Sequence, residues 1–201
     1  MHNQMTTTIA KTGQEAQRGA NPVRILKGGK FLTFLMANEK YGLEILKVRE
    51  IIGMMNVTSV PMTPAFVRGV INLRGKVIPV IDLRLKFGME AKGDTERTCI
   101  ILVHLASTTQ EITMGIIVDE VSDVLDINQD QIEPPPSFGP NIRTDFILGM
   151  GKVDQKVMTM LDIDRVLSEQ EIAQVATSVE KTGNDLDKST NVKDPEGNDE
   201  K

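Results

Sequence analysis

The sequence predicts a mainly β protein: two small closed β-barrels arranged as an internal duplication, with short helices and a C-terminal helix. Three observations carry that expectation. The run GVINLRGKVIPVIDLRLKFG, from Gly69 to Gly88, returns in degenerate form as GMGKVDQKVMTMLDIDRVLS from Gly149. A shift of eighty positions lays Phe66 on Phe146, Gly69 on Gly149, Lys76 on Lys156, Val77 on Val157 and Asp82 on Asp162. Upstream, a shift of seventy-three lays Gly42 on Gly115, Val48 on Val121, Val57 on Asp130 and Pro61 on Pro134. Each half then runs hairpin, proline break, hairpin, short helix, and one such unit closes its core less well than two packed together. Finally, the strands are short and the turn signals closely spaced, which favours barrels because closure leaves no edge for another chain to pair with.

The elements follow from local chemistry. KFLTFLMA reads as a strand, with a tight turn at Asn38 and Glu39 into KYGLEI. ILKVREIIGM continues as a half-buried strand or a strand with one irregular turn. Pro61 and Pro64 remove backbone donors and stop any ladder in TSVPMTPAF. GVINL and KVIPVID form a hairpin across Arg74 and Gly75, where glycine supplies the positive φ of a tight turn. Asp82 caps a short helix, LRLKF, that Gly88 ends. After the linker MEAKGDTER come strand TCIILVHL, the turn STTQ, and strands EITMGIIVD and EVSDVLDI. The proline block PPPSFGP leads to FILGMGKV, a turn at Asp154 and Gln155, and KVMTMLDI. Ser168 with Glu171 forms a capping box, and Ile172, Val175, Ala176 and Val179 share one face of the helix it opens.

Residues 1–30 are too poor in apolar side chains to define a core-facing stripe and are expected to be a flexible arm. The charged, polar stretch 179–201 is expected to be a disordered acidic tail. The folded part is 31–178. The 40% hydrophobic content of the 201-residue chain suffices for one or two small domains. A net charge of -5, with no cluster of basic and aromatic residues, predicts neither nucleic acid nor a membrane surface as a partner. No apolar run approaches the roughly 20 residues that span a bilayer, and the N-terminus lacks a signal-peptide stretch, so a cytoplasmic protein is expected.

The search for chemistry returns no catalytic constellation, and neither cofactor nor metal is expected. The two histidines, His2 and His104, have no ligand spacing around them, and the lone cysteine, Cys99, lies in an apolar run as a small hydrophobe would. The glycine runs do not form a phosphate loop. Asp82 and Asp162 look like a symmetric carboxylate pair, but each begins a short helix, and capping accounts for both. Aromatic residues make up 3% of the chain, with no Trp, against a sugar or base platform. Of the eleven methionines, Met36, Met114, Met150, Met158 and Met160 fall in strands and read as core, whereas Met54, Met55 and Met62 surround the proline break.

The two copies differ at their central turn: Arg74-Gly75 in the first, Asp154-Gln155 in the second. An exposed turn arginine is ordinarily just solvated. Glu50, a single acid among Val48, Ile51 and Ile52, is placed to answer Arg74 if the hairpin folds back over that strand. Such a pair would either shape a groove wall or present charge to a partner. Two barrels side by side leave a groove suited to an apolar rod.

The segments FLTFLMANEKYGLEILKVREI, TPAFVRGVINLRGKVIPVIDLRLKFG, TMGIIVDEVSDVL and FILGMG, in that order, closely resemble the CheW family of bacterial chemotaxis coupling proteins over about residues 31–175. The NLRG turn between GV and VIPVIDLR is specific to that family. The resemblance implies two intertwined five-stranded SH3-like barrels. It also implies a non-catalytic adaptor joining the cytoplasmic tips of methyl-accepting chemotaxis receptors to the regulatory domain of the CheA histidine kinase. By the same resemblance, Ile45, Val48, Glu50, Gly69, Arg74 and Val121 form the receptor-binding groove. Phe138 matches a kinase or ring contact, with other CheW copies among the ring's members, although PPPS departs from the family's usual spacing. The alternatives are a CheW-like adaptor of another receptor-kinase pathway, such as surface motility, and a β-barrel protein that binds peptides or small molecules. Receptors and a kinase encoded nearby would separate the pathways.

Overall fold

The computed structural model describes residues 28–106, 111–136, 139, 143–153 and 156–175. Most of the expected arm and all of the expected tail lie outside these residues, as do the STTQ turn, Asp154, Gln155, Phe138, Ala176 and Val179. Among the described residues no helix is long and apolar enough to cross a membrane.

The first half contributes β1 (Gly29–Met36), β2 (Glu39–Glu44), β3 (Val48–Gly53), β4 (Val67–Leu73), β5 (Lys76–Asp82) and helix α1 (Leu83–Lys86). The second contributes β6 (Cys99–Ala106), β7 (Glu111–Val118), β8 (Glu120–Ile127), β9 (Ile132–Glu133), β10 (Ile147–Val153), β11 (Lys156–Leu161) and α2 (Ile163–Val166). Helical residues 169–175 follow as α3. The first turn falls at Ala37 and Asn38, one residue earlier than expected, because both take positive φ (49° and 69°) and close a two-residue hairpin. The irregular turn ahead of β3 is a 3-10 turn at Ile45–Lys47.

The strands form two sheets, ordered β8-β1-β2-β11-β10-β9 and β3-β6-β7-β5-β4. The two halves of the sequence are thus intertwined. The β1-β2 hairpin of the first half completes the sheet of the second, and β6-β7 of the second completes the sheet of the first. Each exchange is sealed by a parallel pairing, Val80 with Gly115 and Met160 with Gly42. The same shifts of eighty and seventy-three relate these pairs, so the duplication is visible in hydrogen bonds as well as residues. The Asp82 N–H donates to the Phe66 carbonyl at 2.8 Å, and Asp162 donates to Phe146 at 2.8 Å.

Each sheet curls until the chain leaving its edge strand returns to its far end. Beyond β3, Thr58 exchanges two backbone hydrogen bonds with Val70 of β4, at 2.8 and 2.9 Å. Beyond β8, Ile132 and Glu133 pair with Gly151 and Met150 of β10. The second return is long enough to be a strand, β9, which makes one sheet six-stranded where five strands were expected. Nothing in the proline-rich sequence signals so short a ladder.

Three apolar clusters hold the fold. Ile71, Val80 and Ile100 fill one sheet's interior; Phe31, Met158 and Met160 fill the other's. A larger cluster, with Phe34, Leu43, Ile101, Val103 and Ile116, fuses the two sheets. A fully buried side chain of this size contributes about 1.5–3 kcal/mol, so the shared layer binds the halves into one cooperative body. Met36, Met114, Met158 and Met160 are buried as expected, and Met150 is half-buried. Met62 is fully exposed, while Met54 and Met55 pack on an interior cluster.

Asp82 and Asp162 cap α1 and α2, accepting from the N–H of Arg84 and of Asp164. The capping box of α3 forms, with Ser168 N–H donating to Glu171 and Glu171 N–H to Ser168 Oγ, and Ile172 and Val175 are buried beneath it.

Candidate functional site

The tip of the β4-β5 hairpin is a two-residue turn in which Arg74 (φ 54°) and Gly75 (φ 81°) are both left-handed. Asn72 steadies it, its Oδ1 accepting from Gly75 N–H at 2.9 Å. The expected glycine conformation is there, and the arginine shares it. From that tip the Arg74 guanidinium reaches β3 and donates to both carboxylate oxygens of Glu50, Nη2 to Oε1 at 2.7 Å and Nη1 to Oε2 at 3.2 Å. β3 and β4 are opposite edges of their sheet, so only its curl brings the two residues together. The Arg74 side chain stays 76% exposed and that of Glu50 30%, leaving the fork available to a partner.

Ile45, Val48 and Val121 rim the layer between the sheets. Val48 stands opposite Val103 and Val121 opposite Phe34, both members of the shared core. The 3-10 turn bearing Ile45 touches β1 of one sheet and β6 of the other. Lys47 in that turn pairs with Asp164 of α2, whose other carboxylate oxygen accepts from Ala106 N–H at 2.9 Å. Cys99, opposite Gly53, lies at the other end of β6 from Val103, where its thiol is hydrogen-bonded to the Val121 backbone, so Val121 stands at the end of the layer away from Val48. Burial pushes that thiol's pKa up against the hydrogen bond, and Glu120 adds to the rise. A raised thiol is a poor nucleophile. β3 and β8 are both bulged just past Val48 and Val121, which swings their following residues along the rim. Glu50 falls opposite Leu102, on the other face of β3.

Gly69 is buried on β4, at the far edge from Val48. It takes φ +135°, and a Cβ there would fall on the carbonyl oxygen of Thr58. Gly149 plays the same part in the second copy: a Cβ would sit 2.9 Å from the Glu133 carbonyl oxygen. Both glycines are kept so that the returning chain can lie against the hairpin. His104 is half-buried on β6, with Nε2 3.5 Å from Arg49 Nη1. No three His, Cys, Asp or Glu side chains among the described residues are placed to hold a metal.

Sequence reasoning missed a buried charge network around Arg84. This side chain is 2% exposed and reaches Asp82 at 3.3 Å, the Lys92 carbonyl at 3.2 Å and Asp119 at 3.1 Å. Arg68 adds a second cation, 3.5 Å from Asp82 and 2.8 Å from Asp94. Asp82 is thus a cap and the centre of an ion cluster that pins the 89–98 linker. The readable signal was the charge reversal between copies, Arg84 against Asp164.

Comparison with known proteins agrees with this geometry. The CheW-like domain family matches residues 30–171. The chain is 40% identical over 148 residues to the chemotaxis protein CheW of Klebsiella aerogenes, covering 74% of this chain and 87% of that one. It is 31% identical over 168 residues to the chemotaxis protein CheW of Helicobacter pylori, covering 83% and 98%. The crystal structure of the scaffolding protein TtCheW from Thermoanaerobacter tengcongensis superposes with a TM-score of 0.63 at 38% identity, covering 72% of this chain and 95% of that one. The chain belongs to the CheW family of chemotaxis scaffolding proteins.

Proposed function

We propose that this chain couples the cytoplasmic tips of methyl-accepting chemotaxis receptors to the regulatory domain of the CheA histidine kinase, in the cytoplasm beneath the receptor cluster. As a CheW-family member it is a non-catalytic adaptor. The single observation that carries the reading is the family match over residues 30–171, which takes in both sheets and the rim between them. Ile45, Val48 and Val121 offer the apolar surface for a receptor helix, and Arg74 with Glu50 orients it. Gly69 acts through the backbone of the same sheet. Phe138, by the family resemblance, is assigned the contact with the kinase or a neighbouring ring member. A helical rod needs an apolar surface with a few placed charges, not nucleophiles or metals. Each contact can be weak, because a lattice of identical units raises the effective concentration of every neighbour.

The test is titration of the purified chain against a receptor tip fragment and, separately, the kinase regulatory domain. Micromolar binding to both is expected; binding to neither overturns the reading. Residues 1–30 and 179–201 lie outside the proposed coupling domain, 31–178. Removing the residues beyond 180 is expected to preserve both interactions.

A further inference from the structure

The duplication creates two seams where the halves meet, and they are not alike. At one image position of each pair the seam is filled: Met114 and Leu167 are both buried in the shared core. Their counterparts by the same shifts are Tyr41 and Phe87, and here the seam opens into a cavity of about 470 Å³. Such a volume lies within the roughly 300–1,000 Å³ of small-molecule sites. The fold needs no opening at this place, since the other copy closes it with aliphatic side chains.

The cavity wall is aromatic. Tyr41, Phe87 and Phe146 line it and continue a column from Phe34, with centroids 5.9, 6.2 and 5.2 Å apart and planes within 27° of parallel. A flat ring placed among these faces gains offset-stacking contacts. The wall also carries charge of one sign. Lys86 and Arg143 line the cavity, whereas their carboxylate partners, Glu171 and Asp145, do not. Lys86 is 12% exposed and held in place, and Arg143 is 58% exposed at the mouth, with a planar group suited to an acid. In the other copy Arg143 is replaced by Thr63, whereas Lys86 and its counterpart Val166 both line this one cavity. Arg143 is therefore the cation that this seam alone carries, while the Lys86 ammonium also stands over the Phe66 ring, 4.6 Å from its centroid. Thr159 adds a hydroxyl to the wall.

We propose that this seam is a binding site for a small planar aromatic acid, its ring against Tyr41, Phe87 and Phe146 and its acid group toward Arg143 and Lys86. The site is separate from the rim that carries Arg74 and Glu50 and does not rest on the adaptor reading.

The experiment is an NMR titration of the full-length, nitrogen-15-labelled chain with 1-naphthoate and, separately, its neutral isostere 1-naphthamide. Saturable shifts at the Tyr41, Phe87, Phe146 and Thr159 amides are expected with naphthoate, and at least about tenfold weaker binding with naphthamide. Arg143→Gln removes a surface charge and should cut naphthoate affinity by about tenfold while leaving naphthamide unchanged. Phe87→Leu copies the residue that fills the other seam, so the fold should tolerate it; it should weaken both probes. Absence of saturable shifts at millimolar probe, shifts centred elsewhere, or equal affinity for the two probes overturns the proposal.

Discussion

Arg74 holds Glu50 in a two-pronged grip between the tip of one hairpin and a strand at the opposite edge of the same sheet. The pair is on the surface, so its worth to stability is small: about 0–1 kcal/mol for exposed ion pairs, and less in salt. Its geometry is nonetheless well defined, because the turn beneath it is fixed by two left-handed residues and the Asn72 side chain. Arg74→Glu should change the unfolding free energy by less than about 1 kcal/mol and abolish receptor-tip binding in a pull-down. A large drop in thermal midpoint would make the residue structural.

Gly69 should behave in the opposite way. Gly69→Ala places a methyl on the Thr58 carbonyl at a φ that L residues rarely adopt, and should cost more than about 3 kcal/mol in urea unfolding. Gly149→Ala meets a looser contact at ordinary φ and should cost about 1–3 kcal/mol. Loss of partner binding in Gly69→Ala should then follow the unfolded fraction, and a folded variant that still fails to bind would point to a direct contact.

The Arg84 network predicts an asymmetry between single and double variants. Arg84→Ala leaves buried Asp82 with Arg68 as its one cation, takes the guanidinium from Asp119 as well, and should cost about 3–5 kcal/mol. The double replacement Asp82→Leu with Arg84→Met removes both charges and should be less damaging than Arg84→Ala alone, even with the helix cap lost. Equal losses would show that the charges themselves, and not their pairing, are needed.

α3 is fastened through Glu171, and that fastening depends on pH. Burial pushes the Glu171 carboxyl up, but the Lys86 ammonium and the two Ser168 hydrogen bonds outweigh it and hold the pKa below its ordinary 4.5. A folded-state pKa below the unfolded one means stability that is present above 4.5 and lost as the pH falls toward the folded value. Glu171→Gln should therefore lower stability at neutral pH and converge with the parent protein in acid. Parallel curves across that range would remove Glu171 from the account.

Much of the fold is legible in the residues. Period-two apolar runs, prolines between them, and aspartates at the head of each short helix place nearly every strand and both caps, because these are local preferences of a half-dozen residues. Gly69 and Gly149 mark the duplication, but their reason lies in chain segments far away in sequence, Thr58 and Glu133. The pairing of Glu50 with Arg74 was readable as a conditional: one acid, one turn arginine, and a hairpin that had to fold back. Arg84 was not readable as buried, since a charged residue in LRLK looks like a solvated helix face until Asp82 and Asp119 are seen around it.

What the sequence by itself determined is the repeated unit, its strands and caps, the absence of a motif for bond-making chemistry, and the one turn where the copies part company. What only the tertiary structure decided is how the units interlock. Val80 beside Gly115 and Met160 beside Gly42 exchange hairpins between the halves, and no local signal specifies that choice. The physical reason is that an amphipathic hairpin presents the same apolar face to either sheet. The partner is selected by the total surface buried, and the shared core around Phe34, Ile101 and Val103 exists only when the two halves are interlocked.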